Sequence, residues 1–537
     1  IKLAIGYPDF YEVGMSNLGI RILYHILNNI QDVVCERFFA PGSDLEDVLR
    51  KTNIPLFTIE SRTPLKHFDI IGFSLSCELN YTNLLNLLSL SHIPLHCYER
   101  SDNDPIILGG GNCSFNPEAL SDFVDLWVVG EGEEVIVKII EVYKNLKGRK
   151  RFDIIESLTK IGGVYAPMFY TAGKDENIMP VSNKIPAIVE KQVVSDFESS
   201  VFPTKWIVPS CEIIHDRIFL EIMRGCPQNC LFCQAGFCWK PVRKKSAEKV
   251  IELALETYKN SGYEEISLLS FSAADHPDIE KIVTTLIEKT SNNKISISFP
   301  SLRMDSVSFS LANKIGRIKP TGLTFAPETG ESLRKYLGKN ILDEKLFLLA
   351  EEAKKAGWRK LKLYFMVGLP GENANIISEM ENLIHKISKI IFVKCSFNIF
   401  IPKPHTPFQW EKFPEFEYCC EIKTRLQKKF SNNRFVHIRF HPYEMSKIEC
   451  LLSRGNRKLG KVIEDVWKNG GKMENWLEGF VFNRWLCSME KNHLDFDDYL
   501  GDSLSICNRW KHIRASFSFE RLEAMRNTFY YSISHVK

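Results

Sequence analysis

The sequence predicts an α/β protein: a doubly wound parallel sheet comes first, a partial (β/α)6 barrel follows, and the C-terminal region is mostly helical. Three observations predict this fold class. Short apolar segments alternate with segments of helical periodicity over residues 1–148 and again over 210–410. Several apolar segments end in glycine or serine, as strands of parallel sheets do beside ligands. After residue 410 helical periodicity dominates, with scattered tryptophans.

Composition is that of a globular protein. The 537 residues are 44% hydrophobic and 25% charged, which suits three or four domains of about 150 residues each. A net charge of +3 does not indicate a nucleic-acid partner. No apolar run is long enough to span a bilayer and no signal peptide is visible, so we expect a cytoplasmic protein without membrane contact. The 15 cysteines are then expected to be reduced.

The first region, 1–148, alternates strands with helices. Its helices are expected at 18–27, from about 81, and up to 143. Its strands are expected at 2–7, 33–39, 54–58, 69–75, 105–108 and 123–129. This alternation predicts a flavodoxin-like or Rossmann-like sheet that binds its ligand at the carboxyl ends of the strands.

The rest of the chain is predicted in three parts. Residues 149–209 form a connecting segment with a short antiparallel element. Residues 210–410 form the barrel, and residues 411–537 form the helical region that holds Trp467, Trp476, Trp485 and Trp510. The barrel strands are expected at 219–223, 266–269, 295–299, 322–326, 361–367 and 396–401, and the chemistry of such barrels lies at the C-terminal ends of the strands.

Cys226, Cys230 and Cys233 directly follow the first barrel strand. Three thiolates on one loop can hold three irons of a 4Fe-4S cluster and leave the fourth iron open for a ligand. Zinc and coincidence are the alternatives. Structural zinc needs four ligands, and the nearest additional thiol is Cys238, with no second cysteine pair behind it.

This triplet, with an aromatic residue just before its third cysteine, resembles that of the radical S-adenosylmethionine (SAM) superfamily. The resemblance implies that the open iron binds the amino and carboxylate groups of SAM. One electron then cleaves SAM and produces a 5′-deoxyadenosyl radical that abstracts hydrogen from a substrate. An electron donor such as flavodoxin or ferredoxin is implied as a partner.

The same resemblance implies SAM contacts at the carboxyl ends of the other barrel strands. Glu328 has an alternative role as a helix N-cap carboxylate, and the 368–372 turn has one as a plain β-to-α turn. His405 is equally consistent with a structural role, and Arg243 with a solvated cation. The implied SAM contacts are Phe232, Ser270, Ser272, Glu328, Gly368, Pro370 and Gly371.

Residues 1–148 resemble the cobalamin-binding domain that precedes many radical SAM barrels. Small residues at strand ends let a corrin ring approach the backbone. The Asp-x-His-x-x-Gly signature of a lower axial histidine is absent. A flavodoxin-like domain that binds nothing, or serves for docking, is the alternative. The implied cobalamin contacts are Ser74, Ser76, Gly109, Gly110, Gly111, Gly130, Glu131 and Gly132.

Segments 7–19, 400–410 and 454–457 are similar to one bacterial family of radical SAM proteins with such a domain. The leading hypothesis is a cobalamin-dependent methyltransferase, whose catalytic residues and substrate the sequence does not identify. A radical SAM enzyme that rearranges its substrate, or modifies RNA or protein without methyl transfer, is the second hypothesis. A non-catalytic cobalamin or redox sensor is the third, and the absence of a DNA-binding motif counts against it.

Overall fold

The structure is a computed structural model that describes residues 1–290, 296–298 and 323–535. The chain divides into two compact units, and each is made from two separate stretches of sequence. The first unit is Ile1–His215 with Lys447–Ser516, and the second is Asp216–Ser446 with Phe517–Lys537. The predicted ranges 149–209 and 411–537 therefore do not form units of their own.

A six-stranded sheet forms the centre of the first unit, in the order β2-β1-β3-β4-β5-β6. Strands β1 to β5 are parallel, and β6 runs antiparallel to β5. The first five strands have the flavodoxin-like order, whose ligand crevice lies beyond β1 and β3. The strands are β1 Lys2–Tyr7, β2 Val34–Phe39, β3 Ile70–Ser74, β4 Ile106–Gly110, β5 Leu126–Val128 and β6 Val164–Tyr165.

Helices cover the sheet as the periodicity predicts. In the helix Leu18–Asn28 the side chain of Asn17 accepts the amide hydrogen of Ile20, and the apolar side chains of the helix are buried. The other helices of this unit are Tyr11–Gly14, Ser43–Thr52, Tyr81–Leu90, Glu133–Leu146, Arg151–Leu158, Leu459–Lys468, Phe482–Lys491 and Asp497–Leu500, and Tyr443–Ser453 crosses the unit boundary.

The prediction of a strand at 54–58 was wrong. Phe57 makes one isolated bridge to Pro64, and the amide of Leu56 donates to Leu90 instead of to a neighbouring strand. The predicted antiparallel element of the connecting segment is present as the strands Tyr170–Ala172 and Ile178–Pro180. A short parallel pair of strands, Val189–Glu190 and Ile513–Arg514, joins this segment to the C-terminal stretch.

Residues 447–516 are attached to the first unit by a buried polar cluster. The fully buried carboxylate of Glu118 accepts hydrogen bonds from Arg457 at 2.7 Å and from the Tyr165 hydroxyl at 2.5 Å. Burial alone would raise the pKa of Glu118, but Arg457, His512 and Tyr165 more than offset it and bring it to about 2. The tryptophans Trp485 and Trp510 are completely buried, so they belong to the core.

The second unit holds parallel strands with helices between them, the pattern of a partial barrel. In chain order the barrel strands are Ile218–Glu221, Glu265–Leu269, Ser296–Ser298, Leu323–Glu328, Lys360–Val367, Phe392–Ile399 and Val436–Phe440. The first three form one parallel sheet and the last four another. Parts of the predicted strands 295–299 and 322–326 lie outside the described residues. We call these strands the first to seventh barrel strands.

A seventh strand was not predicted, because residues 436–440 lie in the range expected to be helical. The sixth strand also begins at Phe392 rather than at 396, since Lys394 interrupts the apolar run that we used to place it. On one face of the sheet Phe365, Phe397 and Phe440 stack with ring centroids 5.1 and 4.8 Å apart.

Helices of the second unit pack on this apolar face. They include Asp343–Lys355, which buries Leu346 and Leu349, and Ala374–Ser388, whose leucine and isoleucine side chains are buried. The remaining helices are Gln234–Cys238, Ala247–Ser261, Ile279–Thr290, Glu331–Arg334, Phe416–Phe430 and Phe519–Ser534. The opposite face of each strand alternates with the buried one and is partly exposed, so we call it the inner face of the barrel.

Candidate active site

The three predicted cluster cysteines lie on the loop after the first barrel strand. Gly225 has a φ of +83°, and a Cβ there would lie 2.4 Å from the carbonyl oxygen of Trp239, so the turn requires glycine. Cys226 and Cys230 are buried and Cys233 is half-buried. Phe232 lies half-buried on the same turn. The loop therefore collects the predicted ligands within eight residues of chain.

The thiols are chemically suited to bind a cluster. All three are free of disulfides. Burial raises the pKa of Cys233, the Ala235 amide opposes the rise, and Cys226 and Glu328 add to it. Metal binding would replace these protons. The described residues contain no group of three or more potential ligand side chains at metal-binding spacing.

The loop after the second barrel strand is joined to the cysteine loop. Ser270 Oγ accepts the amide hydrogen of Ser272 at 3.0 Å, and Ser272 Oγ donates to Asp275 at 2.7 Å. Asp275 also accepts from Gln228, which lies between the first two cysteines, at 2.9 Å. Ser272 is thus occupied in holding Asp275, whereas the half-buried Ser270 lies at the strand end.

Glu328 ends the fourth strand in the left-handed conformation, with a φ of +69°. Its Oε1 lies 2.6 Å from the ammonium of Lys339, and the two side chains are 14% and 9% exposed. A non-glycine residue in this conformation costs about 1–3 kcal/mol, and such strain is concentrated at functional sites. The N-cap position of the following helix is Gly330, so Glu328 is not its N-cap residue, and a contact of Glu328 with SAM stays a prediction.

The segment that carries Lys339 packs against the cysteine loop. The amide of Leu231 donates to the Leu337 carbonyl at 3.1 Å, and Cys230 Sγ lies 3.8 Å from the Gly338 carbonyl. A Cβ at Gly338 would lie 2.7 Å from the carbonyl oxygen of Asn229. Glu328 and Lys339 therefore lie next to the predicted cluster.

Arg334 holds this arrangement in place. Its guanidinium is fully buried and donates to the carbonyls of Pro327, Thr329 and Ile341. It also pairs with Asp343 at 2.9 Å. Because Pro327 and Thr329 flank Glu328, this one side chain fixes the backbone on both sides of it.

The turn after the fifth strand contains Gly368 and Gly371, both with positive φ. A Cβ at Gly368 would lie 2.2 Å from Pro414, and one at Gly371 would lie 3.1 Å from Ile533. The amide of Gly368 donates to Glu372 at 2.7 Å. Pro370, between the two glycines, is half-buried. The glycines serve close packing, so a direct SAM contact by their backbone stays a prediction.

The C-terminal helix Phe519–Ser534 contacts several of these loops. Phe529 packs on Phe408 at 5.0 Å, and Glu411 accepts from Arg526 and Tyr530, both at 2.6 Å. His405 is buried and its ring lies 5.7 Å from that of Phe519. This geometry supports a structural role for His405.

The predicted cobalamin contacts of the first unit fall into two sets. Ser74 and Gly110 are register partners at the ends of β3 and β4, with Ser76 and Gly111 just beyond them. A Cβ at Gly110 would meet no atom within 4 Å. The side chain of Ser76 hydrogen-bonds Tyr7, whose pKa burial raises to about 12. This edge is the free part of the predicted crevice.

Most residues of the second set make packing contacts or hydrogen bonds within the first unit. A Cβ at Gly109 would lie 2.7 Å from the Trp127 ring, and one at Gly130 would lie 2.4 Å from Gln192. Buried Glu131 accepts the Val194 amide hydrogen at 2.7 Å. Gly132 precedes the helix Glu133–Leu146 and has only Leu23 near it. Gly109, Gly130 and Glu131 are therefore explained by packing.

Several residues of these sites were not predicted. Arg334 ends the short helix Glu331–Arg334 and Lys339 lies in the loop after it, in a segment without a motif. Two cations shortly after a strand-end glutamate were nevertheless a usable signal. No sequence signal indicated that Asp9 contacts Asn475 at 2.7 Å and Trp476 at 3.1 Å, because these residues are more than 460 positions from Asp9 in the chain. These contacts bring the C-terminal stretch to the carboxyl end of β1.

Family models match both units. The model described as "Radical SAM proteins, N-terminal" matches residues 19–167, and the model described as "Radical SAM superfamily" matches residues 220–384. The chain belongs to the radical SAM superfamily, as the cysteine triplet predicted. An uncharacterized protein of the archaeon Methanocaldococcus jannaschii is 28% identical over 471 residues, which cover 86% of this chain and 90% of that protein.

Two solved structures share the fold. One is the radical SAM methyltransferase TsrM from Kitasatospora setae with cobalamin and a 4Fe-4S cluster bound, with a TM-score of 0.53 and 11% identity over 74% of each chain. The other is the cobalamin-dependent SAM radical enzyme OxsB with aqua-cobalamin, with a TM-score of 0.51 and 13% identity, covering 99% of this chain and 84% of that one. They confirm the predicted fold class. None of the helices in the described ranges has the length and apolar character needed to cross a membrane.

Proposed function

We propose that this protein is a cobalamin-dependent radical SAM methyltransferase. The observation that carries the proposal is the free strand edge of the first unit, where Gly110 leaves space that no neighbouring atom fills. This edge occurs in the same chain as a barrel with a three-cysteine loop. The proteins of the same fold named above, TsrM and OxsB, support the same cofactors here: a 4Fe-4S cluster, SAM and cobalamin.

When bound, the cluster and SAM supply the substrate radical and cobalamin supplies the methyl group. The residues of this chain would hold and orient these groups. Cys226, Cys230 and Cys233 would ligate the cluster, while Glu328 and Lys339 would contact the charged groups of SAM beside it. Ser74, Ser76 and Gly110 would support the corrin. A flavodoxin or ferredoxin would deliver the electron.

The cluster is tested by anaerobic reconstitution of the full chain. We expect about four irons per chain and 5′-deoxyadenosine from SAM under reduction. Cys226→Ala, Cys230→Ala and Cys233→Ala should each abolish both. Cys238→Ala, a buried cysteine of the adjacent helix, and Cys487→Ala, an exposed one, are the controls and should keep the iron. Tightly bound zinc without SAM cleavage would refute the proposal.

Cobalamin binding is tested by titration with hydroxocobalamin. We expect retention at micromolar protein and a spectrum without histidine coordination. A size series at Gly110 supplies the control: Gly110→Ala should fold and bind more weakly, because its Cβ would meet no described atom within 4 Å, and Gly110→Leu should bind still more weakly. Equal binding by all three proteins would show that the edge is not the corrin site.

A radical reaction without methyl transfer is the second candidate. It is favoured by the finding that Gly109, Gly130 and Glu131, three of the predicted corrin contacts, are used by the protein for its own packing. SAM cleavage together with failure to retain cobalamin would select this candidate.

A further inference from the structure

Cationic side chains lie in register on the inner face of the barrel. Lys362 of the fifth strand is the partner of Lys394 on the sixth, and Lys394 is the partner of His437 on the seventh. In the next inward-facing row Ser396 is the partner of Arg439. Neighbouring strands are about 4.8 Å apart, so these side chains form one compact patch. We call Lys362, Lys394 and Arg439 the inner cation patch.

The patch is accessible. Lys362 and Lys394 are half-buried and Arg439 is exposed. The residues that alternate with the two lysines are buried, whereas Ile438 and Phe440, which flank Arg439, are half-buried. The alternation is regular along the fifth and sixth strands, so the direction of these side chains follows from the pleat.

The charge of the patch is not balanced by the strands around it. Along the described barrel strands the carboxylates are Glu221, Glu265 and Glu328, and each has another cation as its partner. These pairs are Glu221–Arg224 at 2.7 Å, Glu265–Arg217 at 2.8 Å and Glu328–Lys339 at 2.6 Å.

No described carboxylate forms an ion pair with a member of the inner cation patch. Lys362 instead lies over the Tyr364 ring at 4.6 Å. Like charges directly opposite each other across a sheet are destabilising, so an anion would relieve this arrangement.

We propose that the inner cation patch binds the phosphate group of a small phosphorylated substrate. Lysine ammonium groups act as point charges for phosphate, and the arginine guanidinium supplies a two-pronged donor. Three cations exceed what a single carboxylate needs. A concave barrel interior suits a discrete ligand better than a polymer. The inference deepens the proposed function, because it names the substrate class of the same barrel.

The patch also sets the shape of that substrate. Ser396 and Lys394 precede the end of the sixth strand at Ile399 by three and five residues. At 3.3 Å per residue the phosphate would lie about 10–17 Å below the carboxyl edge of the strands. The cysteine loop lies at that edge. The substrate is therefore elongated, with its reacting carbon at the end opposite to the phosphate.

The test is calorimetric binding of inorganic pyrophosphate to the reconstituted full chain, without SAM turnover. We expect saturable binding that Lys394→Gln or Arg439→Gln weakens about tenfold, the loss typical of one charged hydrogen bond. Succinate, a dianion without phosphate, should bind more weakly. The matched control is the triple variant Lys423→Gln/Lys428→Gln/Lys429→Gln, which removes three exposed cations of one outer helix and should bind normally.

Each outcome decides the proposal. Absence of pyrophosphate binding, or equal binding by the patch variants, overturns it, as does succinate binding as tight as pyrophosphate. Circular dichroism and thermal unfolding of each variant separate lost binding from lost folding. Because binding is measured without SAM cleavage, failure here is distinguishable from failure of the proposed reaction.

Discussion

The buried ion pair between Glu328 and Lys339 indicates a ligand-binding role in the barrel. The pair is almost fully withdrawn from solvent, lies against the cysteine loop, and includes a residue held in the left-handed conformation. An ion pair of this kind is a costly way to stabilise a fold. Its value is therefore expected in ligand binding, since the amino and carboxylate groups of SAM match its two charges.

Replacing Lys339 by methionine tests this role. The change removes the cation proposed to contact SAM and leaves Glu328 charged and unpaired in a buried setting. We therefore expect SAM affinity to fall at least about tenfold. Equilibrium dialysis of SAM against the reconstituted protein measures it. Lys335→Met removes an exposed lysine of the same segment and should bind normally. Unchanged affinity of the Lys339→Met variant would make the pair purely structural.

Glu372 predicts a pH dependence of stability. Burial raises its pKa to about 7, although the Gly368 amide and the Tyr418 hydroxyl oppose the rise. The folded state therefore favours the protonated acid. The stability from this group is complete below the unfolded pKa of about 4.5 and is lost as pH rises through 7, by on the order of 3 kcal/mol. In Glu372→Gln this part of the pH dependence of the unfolding free energy should disappear, as denaturant unfolding from pH 5 to 8 can show.

At the level of elements, the alternation of apolar and polar residues predicted most of the strands. β1 was predicted at both ends, and β2 and β3 to within one residue, because each is a buried run between turn residues. The run at 54–58 is similarly apolar, but its backbone amides donate to the ends of two helices, at Leu49 and Leu90, and to Thr63 instead of to a neighbouring strand. The seventh barrel strand was missed because two of its five residues, His437 and Arg439, are polar and interrupt the apolar pattern. The periodicity of a sequence segment does not show with which other strands it will pair.

The same limit applies to the sites. The cysteine loop could be recognised as a candidate site because its three cysteines are close in sequence. The packing roles of Gly109 and Gly130 could not, because Trp127 and Gln192 reach them only in the folded chain. Lys339 was likewise missed, since its contact with Glu328 depends on how the 335–339 segment folds back on the cysteine loop.

The segment around Arg457 is a structural clasp. Arg457 donates to Glu118, to the Tyr165 hydroxyl and to the carbonyls of Tyr170 and Pro167. Arg457→Ala leaves the buried Glu118 carboxylate without its main cation, so we expect a loss of about 3–5 kcal/mol. Burial then dominates the pKa of Glu118 and raises it. The loss should therefore shrink as pH falls, which urea unfolding at pH 7 and pH 5 can measure. Arg514→Ala, at an exposed ion pair, is the control.

The whole molecule consists of two discontinuous units. A fragment of residues 1–215 lacks Arg457, which anchors Glu118, and lacks Asn475 and Trp476, which anchor Asp9. We expect it to be cleaved by trypsin much faster than the full chain. Co-expression with residues 447–516 should restore resistance. A fragment that is as resistant as the full chain would show that the first unit folds without its C-terminal stretch.

The ion pair between Glu118 and Arg457 also affects the order in which the chain can fold during synthesis. It joins residues 339 positions apart, and nearly the whole barrel lies in the chain between them. During synthesis the strands of the first sheet leave the ribosome first, then residues 216–446 of the second unit, and only then residues 447–516, which complete the first unit. Closing so long a loop is slow and late. Both units therefore stay incomplete until the last part of the chain is made, because the second unit also needs residues 517–537, which follow the stretch that completes the first.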